Sequence, residues 1–305
     1  MAFTAKDVAE LRKQTGCGMM DCKRALEEAN GDMGEAVKIL REKGMAATAK
    51  KQSRIAAEGV VDILTIGETT AMIEVNTETD FVAKNETFRA FVRSVLETII
   101  ATRPESVEAL MTMTMADGQT VEAALQEKTY TIGEKLSLRR FVVVDGVVST
   151  YIHGGGATGV IIRFEADAAV VANAAFAEFA KNIALQAAAM PAQYVDRDAV
   201  PASVIEEERE ILLKQMEQDP KMAGKPEKVL AGIVMGKLGK FYETNCLMEQ
   251  AYVKDDSLTV GKYVAATAKE LGGAIKVVAF YRYDKGEGIQ KREENFAEEI
   301  AKLVK

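Results

Sequence analysis

Positive charge is scarce in this sequence. Lys and Arg together number 39, against 46 Asp and Glu, and the formal net charge is −7. Because binding to a phosphate backbone requires concentrated Lys and Arg, this composition argues against nucleic acid as a direct partner. A local basic cluster of Lys50, Lys51 and Arg54 is interpreted as a solvated face of a linker.

Long apolar stretches are also missing. No uninterrupted run approaches the roughly 18 residues that a membrane helix requires. The first residues, MAFTAKDVAEL, lack the basic-then-apolar layout of a secretion signal. We therefore expect no membrane association and a cytoplasmic location.

Cysteine and histidine are rare, with three and one residues. Cys17, Cys22 and Cys246 form no C-x-x-C pair, and an odd number of cysteines indicates free thiols in a reducing compartment. Together with His153, two of them could form at most part of a zinc site, and their spacing matches no usual zinc pattern. We predict no metal site and no cofactor.

The motifs of enzymes are incomplete. HGGGATG, which begins at His153, formally contains G-x-G-x-x-G, but a strand pattern follows it where nucleotide binding requires a helix N-terminus. We interpret it as a hairpin turn. HGGG also resembles the oxyanion loop of lipases, but no G-x-S-x-G accompanies it. GIVMGKLGK is too short for a phosphate loop, and Leu238 stands where Ser or Thr would hold magnesium. A binding protein is favoured over an enzyme.

What the sequence does contain begins with three short helical patterns. Thr4 is the predicted N-cap of the first, Gly18 precedes the second, and the third is predicted to end at Gly44. We expect residues 1–44 to form a three-helix module that binds a partner. Residues 45–58, rich in Ala and Lys, are predicted to form a linker.

A hairpin-plus-helix pattern then occurs twice. Alternating apolar and polar residues from Gly59 predict a hairpin, and an apolar helical stripe follows it. Phe88 and Phe91 of that stripe recur later as Phe176 and Phe179. The repeat predicts an α+β fold with two similar antiparallel hairpin-plus-helix subdomains, at residues 59–140 and at residues 141–190 with 229–270.

The repeat isolates one pair of residues. At the same displacement Asp80 and Phe81 fall on Ala168 and Ala169. The scaffold that the two copies share therefore does not require an acid and an aromatic ring at this place.

Two further helical patterns are separated by Asp219-Pro220 and Gly224-Lys225-Pro226. They predict an antiparallel helical hairpin over residues 191–228. Its apolar side could pack on the body, or the hairpin could protrude and bind a partner or a second copy of the chain; this side is formed by Ile205, Ile211, Leu212 and Met216. Residues 271–305 are predicted to form a C-terminal module that ends in a helix.

Long motifs carry a family resemblance. LRKQTGCGMMDCKRAL (11–26) and TDFVAKN (79–85) resemble two signatures of bacterial elongation factor Ts, and YIHGGG and GEGIQK resemble later blocks of that family in the same order. The resemblance implies a guanine-nucleotide exchange factor that binds elongation factor Tu and promotes release of its GDP in translation elongation. It also implies a ubiquitin-associated-like N-terminal module, a two-part core and a protruding helical hairpin.

The resemblance also implies roles for particular residues. One segment would enter the nucleotide domain of elongation factor Tu and displace its magnesium ion; it consists of Thr79, Asp80, Phe81 and Val82. Phe81 would be a wedge between two partner helices, with Asp80 hydrogen-bonded nearby. The same family more often has Cys-Gln where this chain has Thr77 and Glu78.

Other partner contacts are implied by the same resemblance. Arg12, Met19 and Met20 would contact elongation factor Tu around its phosphate loop, and His153 would contact another of its domains. By default, however, Arg12 is a solvated charge, and the adjacent methionines could be helix core, although one of such a pair must face outward in a regular helix.

Two alternatives stay open from the sequence. By periodicity, Phe81 could be the first core residue of the helix that contains Phe88. The chain could also be a non-catalytic scaffold protein, whose helical module captures a partner without altering a nucleotide site.

Overall fold

The computed structural model describes residues 3–51, 53–219 and 225–290, with the backbone alone for 45–50. The chain forms two compact units. Within the described residues, the first unit contains those up to 143 with 154–157 and 283–290, and the second contains 144–153 and 158–282. Each unit has a hydrophobic core of its own.

Three helices open the first unit: α1 (Ala5–Thr15), α2 (Met19–Glu28) and α3 (Met33–Lys51). Thr4 caps α1 in a capping box, because its backbone N–H donates to Asp7 at 2.6 Å while its hydroxyl accepts from the Asp7 N–H. Leu11, Cys22 and Leu26 are fully buried between the helices. The predicted three-helix module is confirmed.

The predicted end of the third helix at Gly44 is wrong. Helix α3 continues to Lys51, so that much of the predicted linker is helical. Gly44 is not among the glycines with positive φ, as a terminating glycine would be. A Cβ at this position would lie 3.4 Å from the Tyr130 side chain. Such a Cβ would make ordinary van der Waals contact with Tyr130, and α3 passes Gly44 without a break.

The first repeat follows in the same unit and joins a three-stranded sheet to helices. Its elements are β1 (Glu58–Ile66), β2 (Thr69–Thr77), α4 (Asp80–Ala83), α5 (Glu86–Thr102), α6 (Val107–Thr112), α7 (Val121–Ile132) and β3 (Ser137–Asp145). The strand order is β1-β2-β3, and β1 pairs with β2 antiparallel. Phe88 and Phe91 of α5 are buried in its core.

The second repeat has the same plan. Its elements are β4 (Val147–His153), β5 (Thr158–Ala166), α8 (Ala168–Val171), α9 (Ala174–Ala189), α12 (Val260–Leu271) and β8 (Ile275–Asp284). The strand order is β4-β5-β8, with β4 and β5 antiparallel. The one-turn helices α4 and α8, and the buried phenylalanines of α5 and α9, occupy equivalent places. The predicted α+β fold with a repeated hairpin and helix is confirmed.

The repeat extends further than the sequence pattern indicated. In each copy a helix ends at a left-handed glycine, Gly133 or Gly272, and the chain then enters the third strand of the sheet. Residues 275–284, which we predicted to belong to a separate C-terminal module, are that third strand in the second copy. The helix predicted at the end of the chain lies outside the described residues.

An insertion separates the parts of the second repeat. It comprises α10 (Ala202–Gln218), α11 (Glu227–Asn245), a 3₁₀ turn (Leu247–Glu249), β6 (Ala251–Tyr252) and β7 (Asp255–Thr259). Leu212 and Met216 of α10 pack with Val234 and Leu238 of α11, whereas Ile211 is exposed. These two helices form the predicted pair, but the predicted boundary at residue 228 falls at the start of α11, not at its end. The turn predicted around Pro220 lies outside the described residues.

The incomplete enzyme motifs have ordinary structural roles. The glycines after His153 form the turn between β4 and β5, as predicted. GIVMGKLGK lies inside α11 and forms no loop. In the part of the chain that the structure describes, no helix combines the length and apolar character needed to cross a membrane.

A buried carboxylate lies on β2 of the first repeat. Glu74 is fully buried, and it accepts from Arg139 at 2.9 Å, from Arg140 at 2.7 Å and from the backbone N–H of Gly286 at 2.7 Å. Burying a charge is costly unless it is paired and hydrogen-bonded, and these contacts meet that requirement. They hold the segment after β8 against the first sheet, within the first unit.

Candidate partner-binding site

The site segment, Thr79–Val82, connects β2 to the helices of the first repeat. Thr79 is extended (φ −124°, ψ 157°), and α4 begins at the next residue. Asn85 then caps α5, because its Oδ1 accepts from the N–H of Phe88 at 3.2 Å. A single turn does not compensate the entropy of forming it, so α4 depends on its surroundings for its shape.

The aromatic ring of the segment faces solvent. Phe81 is 81% exposed, while Ala83 is buried and Val82 packs partly against the core of the first repeat. The alternative that Phe81 is the first core residue of the next helix is therefore wrong. Exposing a phenylalanine forgoes about 1.5–3 kcal/mol of burial. Among the described residues the ring is little covered, so it is accessible to a partner.

Asp80, the residue before Phe81, carries a charged carboxylate. Lys84 donates to its Oδ2 at 2.6 Å, one helical turn away. This hydrogen bond lowers the pKa of Asp80 below its ordinary value. The exposed face of α4 thus presents an aromatic ring next to an ionised carboxylate that is already paired with an ammonium group.

Thr79 is held by bonds within the chain. Its N–H donates to Glu134 Oε2 at 3.0 Å, and its hydroxyl donates to Glu134 Oε1 at 2.6 Å. Its carbonyl accepts from the hydroxyl of buried Thr77 at 2.7 Å. The hydroxyl does not cap α4. Thr79 therefore fixes the start of the segment, and its side chain is engaged inside the molecule.

Glu134 is a residue that the sequence reasoning missed. It follows Gly133, the left-handed glycine that ends α7. The next residue of each segment is also bonded: the backbone N–H of Lys135, after Glu134, donates to Oε1 of Glu78, before Thr79, at 2.6 Å. The two segments are thus bonded in both directions. An acid in a polar loop gives no signal in a single sequence, because solvated acids are common there.

The residues predicted on the N-terminal module are all exposed. Met19 is 45% and Met20 is 62% exposed, and Arg12 is exposed on α1. The alternative that a methionine is helix core is wrong for both, since they form the first turn of α2 and the buried stripe begins at Cys22. Helices α1 and α2 pack together, so one module carries all three residues.

His153 belongs to the second unit. It is the last residue of β4, it is exposed, and its Nδ1 lies 3.0 Å from the hydroxyl of Tyr151. The neighbouring Ile152 is 38% exposed. The edge of this hairpin therefore presents aromatic, aliphatic and imidazole groups to solvent.

Groups that could serve chemistry are few. Among residues 3–51, 53–219 and 225–290, no cluster of three or more His, Cys, Asp or Glu side chains could hold a metal ion. Cys17, Cys22 and Cys246 are free and buried. Burial raises the pKa of each thiol, to about 11 for Cys246. These thiols are therefore protonated at neutral pH and are poor nucleophiles.

Comparison with known proteins identifies the family. The family model described as "Elongation factor TS" matches residues 78–287, from the residue before the site segment to three residues beyond β8. The chain is 47% identical to the elongation factor Ts of Clostridioides difficile (strain 630), with 99% of each chain covered. The chain belongs to the elongation factor Ts family. This confirms the resemblance seen in the motifs, and it identifies the chain as an elongation factor of protein biosynthesis.

Proposed function

We propose that this member of the elongation factor Ts family is a guanine-nucleotide exchange factor that binds elongation factor Tu and promotes release of its GDP. The observation that carries the proposal is the exposed ring of Phe81 on a one-turn helix whose start is bonded to Glu134. A large apolar group that is exposed yet held in place is suited to insertion into another protein. Family membership supplies the partner.

The proposed mechanism requires no covalent chemistry on this chain. Phe81 inserts between helices of elongation factor Tu, the residues that hold the partner's magnesium ion shift, and GDP loses the cation that neutralises its phosphates. By linkage, a factor that weakens GDP binding by some ratio must itself bind the GDP-loaded partner more weakly than the empty partner by the same ratio. Nucleotide exchange is then driven by the difference between the free energies of binding to the empty and to the GDP-loaded partner.

The size of the effect follows from burial of the ring. Burying a phenylalanine contributes about 1.5–3 kcal/mol, and about 1.4 kcal/mol corresponds to tenfold in an equilibrium constant. Phe81 can therefore account for about one to two decades of GDP weakening. Other contacts must supply the rest.

Those other contacts are proposed on both units. Met19 and Met20 present flexible thioether side chains, which adapt to irregular apolar surfaces. Arg12 adds a cation on the same module, and His153 extends the contact from the second unit. A homodimer through α10 and α11 stays a prediction; the exposed apolar side chains on this pair are Ile211, Leu213, Val229 and Met235.

The proposal is tested by the release of labelled GDP from elongation factor Tu in the presence and absence of this protein. We expect release to accelerate with concentration and to saturate. Ile66→Ala is the matched control for Phe81→Ala, because Ile66 is likewise an exposed apolar residue of the first unit, at the end of β1. Binding to elongation factor Tu without any change in the GDP release rate would instead support the scaffold protein.

A further inference from the structure

The segment that carries Phe81 is hydrogen-bonded to the loop between α7 and β3. Both carboxylate oxygens of Glu134 accept from Thr79, at 3.0 Å from its N–H and 2.6 Å from its hydroxyl. In return, Glu78 accepts from the N–H of Lys135 at 2.6 Å and from Arg54 at 3.2 Å. Hydrogen bonds to charged acceptors are roughly twice as strong as neutral ones. The start of α4 is therefore anchored through side chains far away in sequence.

The second repeat anchors its own one-turn helix at the equivalent place, but with different chemistry. Asp167, which precedes α8 as Thr79 precedes α4, exchanges bonds with Ala274 in the loop before the third strand. Its Oδ2 accepts from the Ala274 N–H at 2.7 Å, and its N–H donates to the Ala274 carbonyl at 3.3 Å. The anchor is thus a feature of the repeat. Only in the first copy does the loop supply the side chain.

We infer that Glu134 is a positioning residue, which orients the one-turn helix so that the exposed ring of Phe81 is held ready for insertion. The inference rests on the proposed function. Four residues of helix cannot hold their own direction, and the ring at 81% exposure receives little support from its surroundings. Fixing Thr79 in advance reduces the ordering entropy that partner binding would otherwise have to overcome.

A double-mutant cycle tests the inference. Glu134→Ala should slow the maximal GDP release rate of elongation factor Tu about tenfold, equivalent to about 1.4 kcal/mol. In the Phe81→Ala background, the same change should alter release by less than about twofold, because the ring that Glu134 positions is gone. Equal effects in both backgrounds would overturn the inference, since Glu134 would then act through something other than Phe81.

Two variants serve as controls. Glu134→Gln retains one acceptor oxygen toward Thr79 and should recover part of the lost rate. If the alanine variant does not fold, the glutamine variant replaces it in the cycle, with an expected loss of about threefold. Glu122→Ala removes the same charge from the first turn of α7, where the carboxylate bonds to Gln126 of its own helix, and should leave release unchanged.

Amide hydrogen exchange of the free protein gives a readout that does not depend on the partner. The N–H groups of Ala83 and Lys84 close the turn of α4 on Thr79 and Asp80. Their exchange should accelerate about tenfold in Glu134→Ala and not in Glu122→Ala. If Phe81→Ala leaves GDP release unchanged, the proposed role of Phe81 fails, and amide hydrogen exchange still decides whether Glu134 positions the helix. Unchanged exchange of both amides would overturn it.

Discussion

The two repeats share a scaffold but differ where the one-turn helix meets solvent. Both place a hairpin before this helix and a long helix with two buried phenylalanines after it. The first repeat has the half-buried Asp80 and the exposed Phe81 on the short helix, and the second has the exposed Ala168 and Ala169. Because the second copy folds the same element without these side chains, folding does not explain them. The proposed contact with a partner accounts for them.

A second difference lies on the strand before the short helix. Glu74 is a buried carboxylate, and the equivalent position in the second repeat is Ile162, which is also fully buried. The first sheet thus uses an ion network where the second uses apolar packing. The network ties Gly286 to β2, a bond that an aliphatic side chain could not make.

The largest effect on stability is expected from breaking this network. Glu74→Ala leaves Arg139 and Arg140 without their shared buried acceptor and should lower the free energy of unfolding by about 3–5 kcal/mol. Ile162→Val in the second repeat should cost about 0.5–1.5 kcal/mol. Chemical denaturation measures both values. Similar losses at the two positions would show that the buried ion network contributes no more to the free energy of unfolding than apolar packing does.

The next largest effect is expected on nucleotide release and not on folding. Replacing Asp80 and Phe81 together by alanine makes the first repeat match the second at this place. GDP release from elongation factor Tu should slow by about one to two decades, while the free energy of unfolding changes by less than about 0.5 kcal/mol. Stopped-flow release and denaturation provide the two readouts. A large loss of stability would mean that the ring does support the fold.

The helix caps should be equivalent in the two copies. Asn85 accepts from the N–H of Phe88 at 3.2 Å, and Asn173 accepts from that of Ala175 at 3.0 Å. Replacing either asparagine by alanine should lower stability by about 1 kcal/mol. Thermal unfolding of the two variants gives the comparison. A cost confined to one copy would show that the repeats are not energetically alike.

The smallest effect concerns the charge on Asp80. The hydrogen bond from Lys84 lowers the pKa of this carboxyl in the folded state. The ionised carboxyl therefore contributes fully to stability above the ordinary pKa of about 3.9, and this contribution is lost as pH falls through the lower pKa of the folded state. In Lys84→Met the pKa of Asp80 should rise toward its ordinary value. Titration by NMR measures it. An unchanged pKa would remove Lys84 as the cause.

Sequence reasoning reached the elements that depend on local patterns. Thr4 and the paired phenylalanines could be placed because capping and periodicity act over a few residues. The end of α3 could not, since the helix passes Gly44 beside Tyr130, which is distant in the sequence. In the same way, nothing local indicated that Glu134 would bond to Thr79.

The predicted site residues show the same difference between local patterns and long-range contacts. The partner role of Phe81 was implied by the family resemblance, and comparing the two copies showed only that the shared scaffold does not require the ring. Its exposure removes the rival position in the core. Thr79 was predicted to belong to the partner-binding segment, and its bonds to Glu134 add an anchoring role inside the molecule. Long-range hydrogen bonds of this kind have no periodicity, and for that reason only the folded chain reveals them.

The most direct test of this account is the maximal rate of GDP release from elongation factor Tu at saturating concentrations of the wild-type protein and of Phe81→Ala. Saturation separates the exchange step from the strength of binding. The account predicts a rate lower by about one to two decades in the variant, with folding intact. An equal maximal rate would contradict it, because the exposed ring would then have no part in releasing the nucleotide.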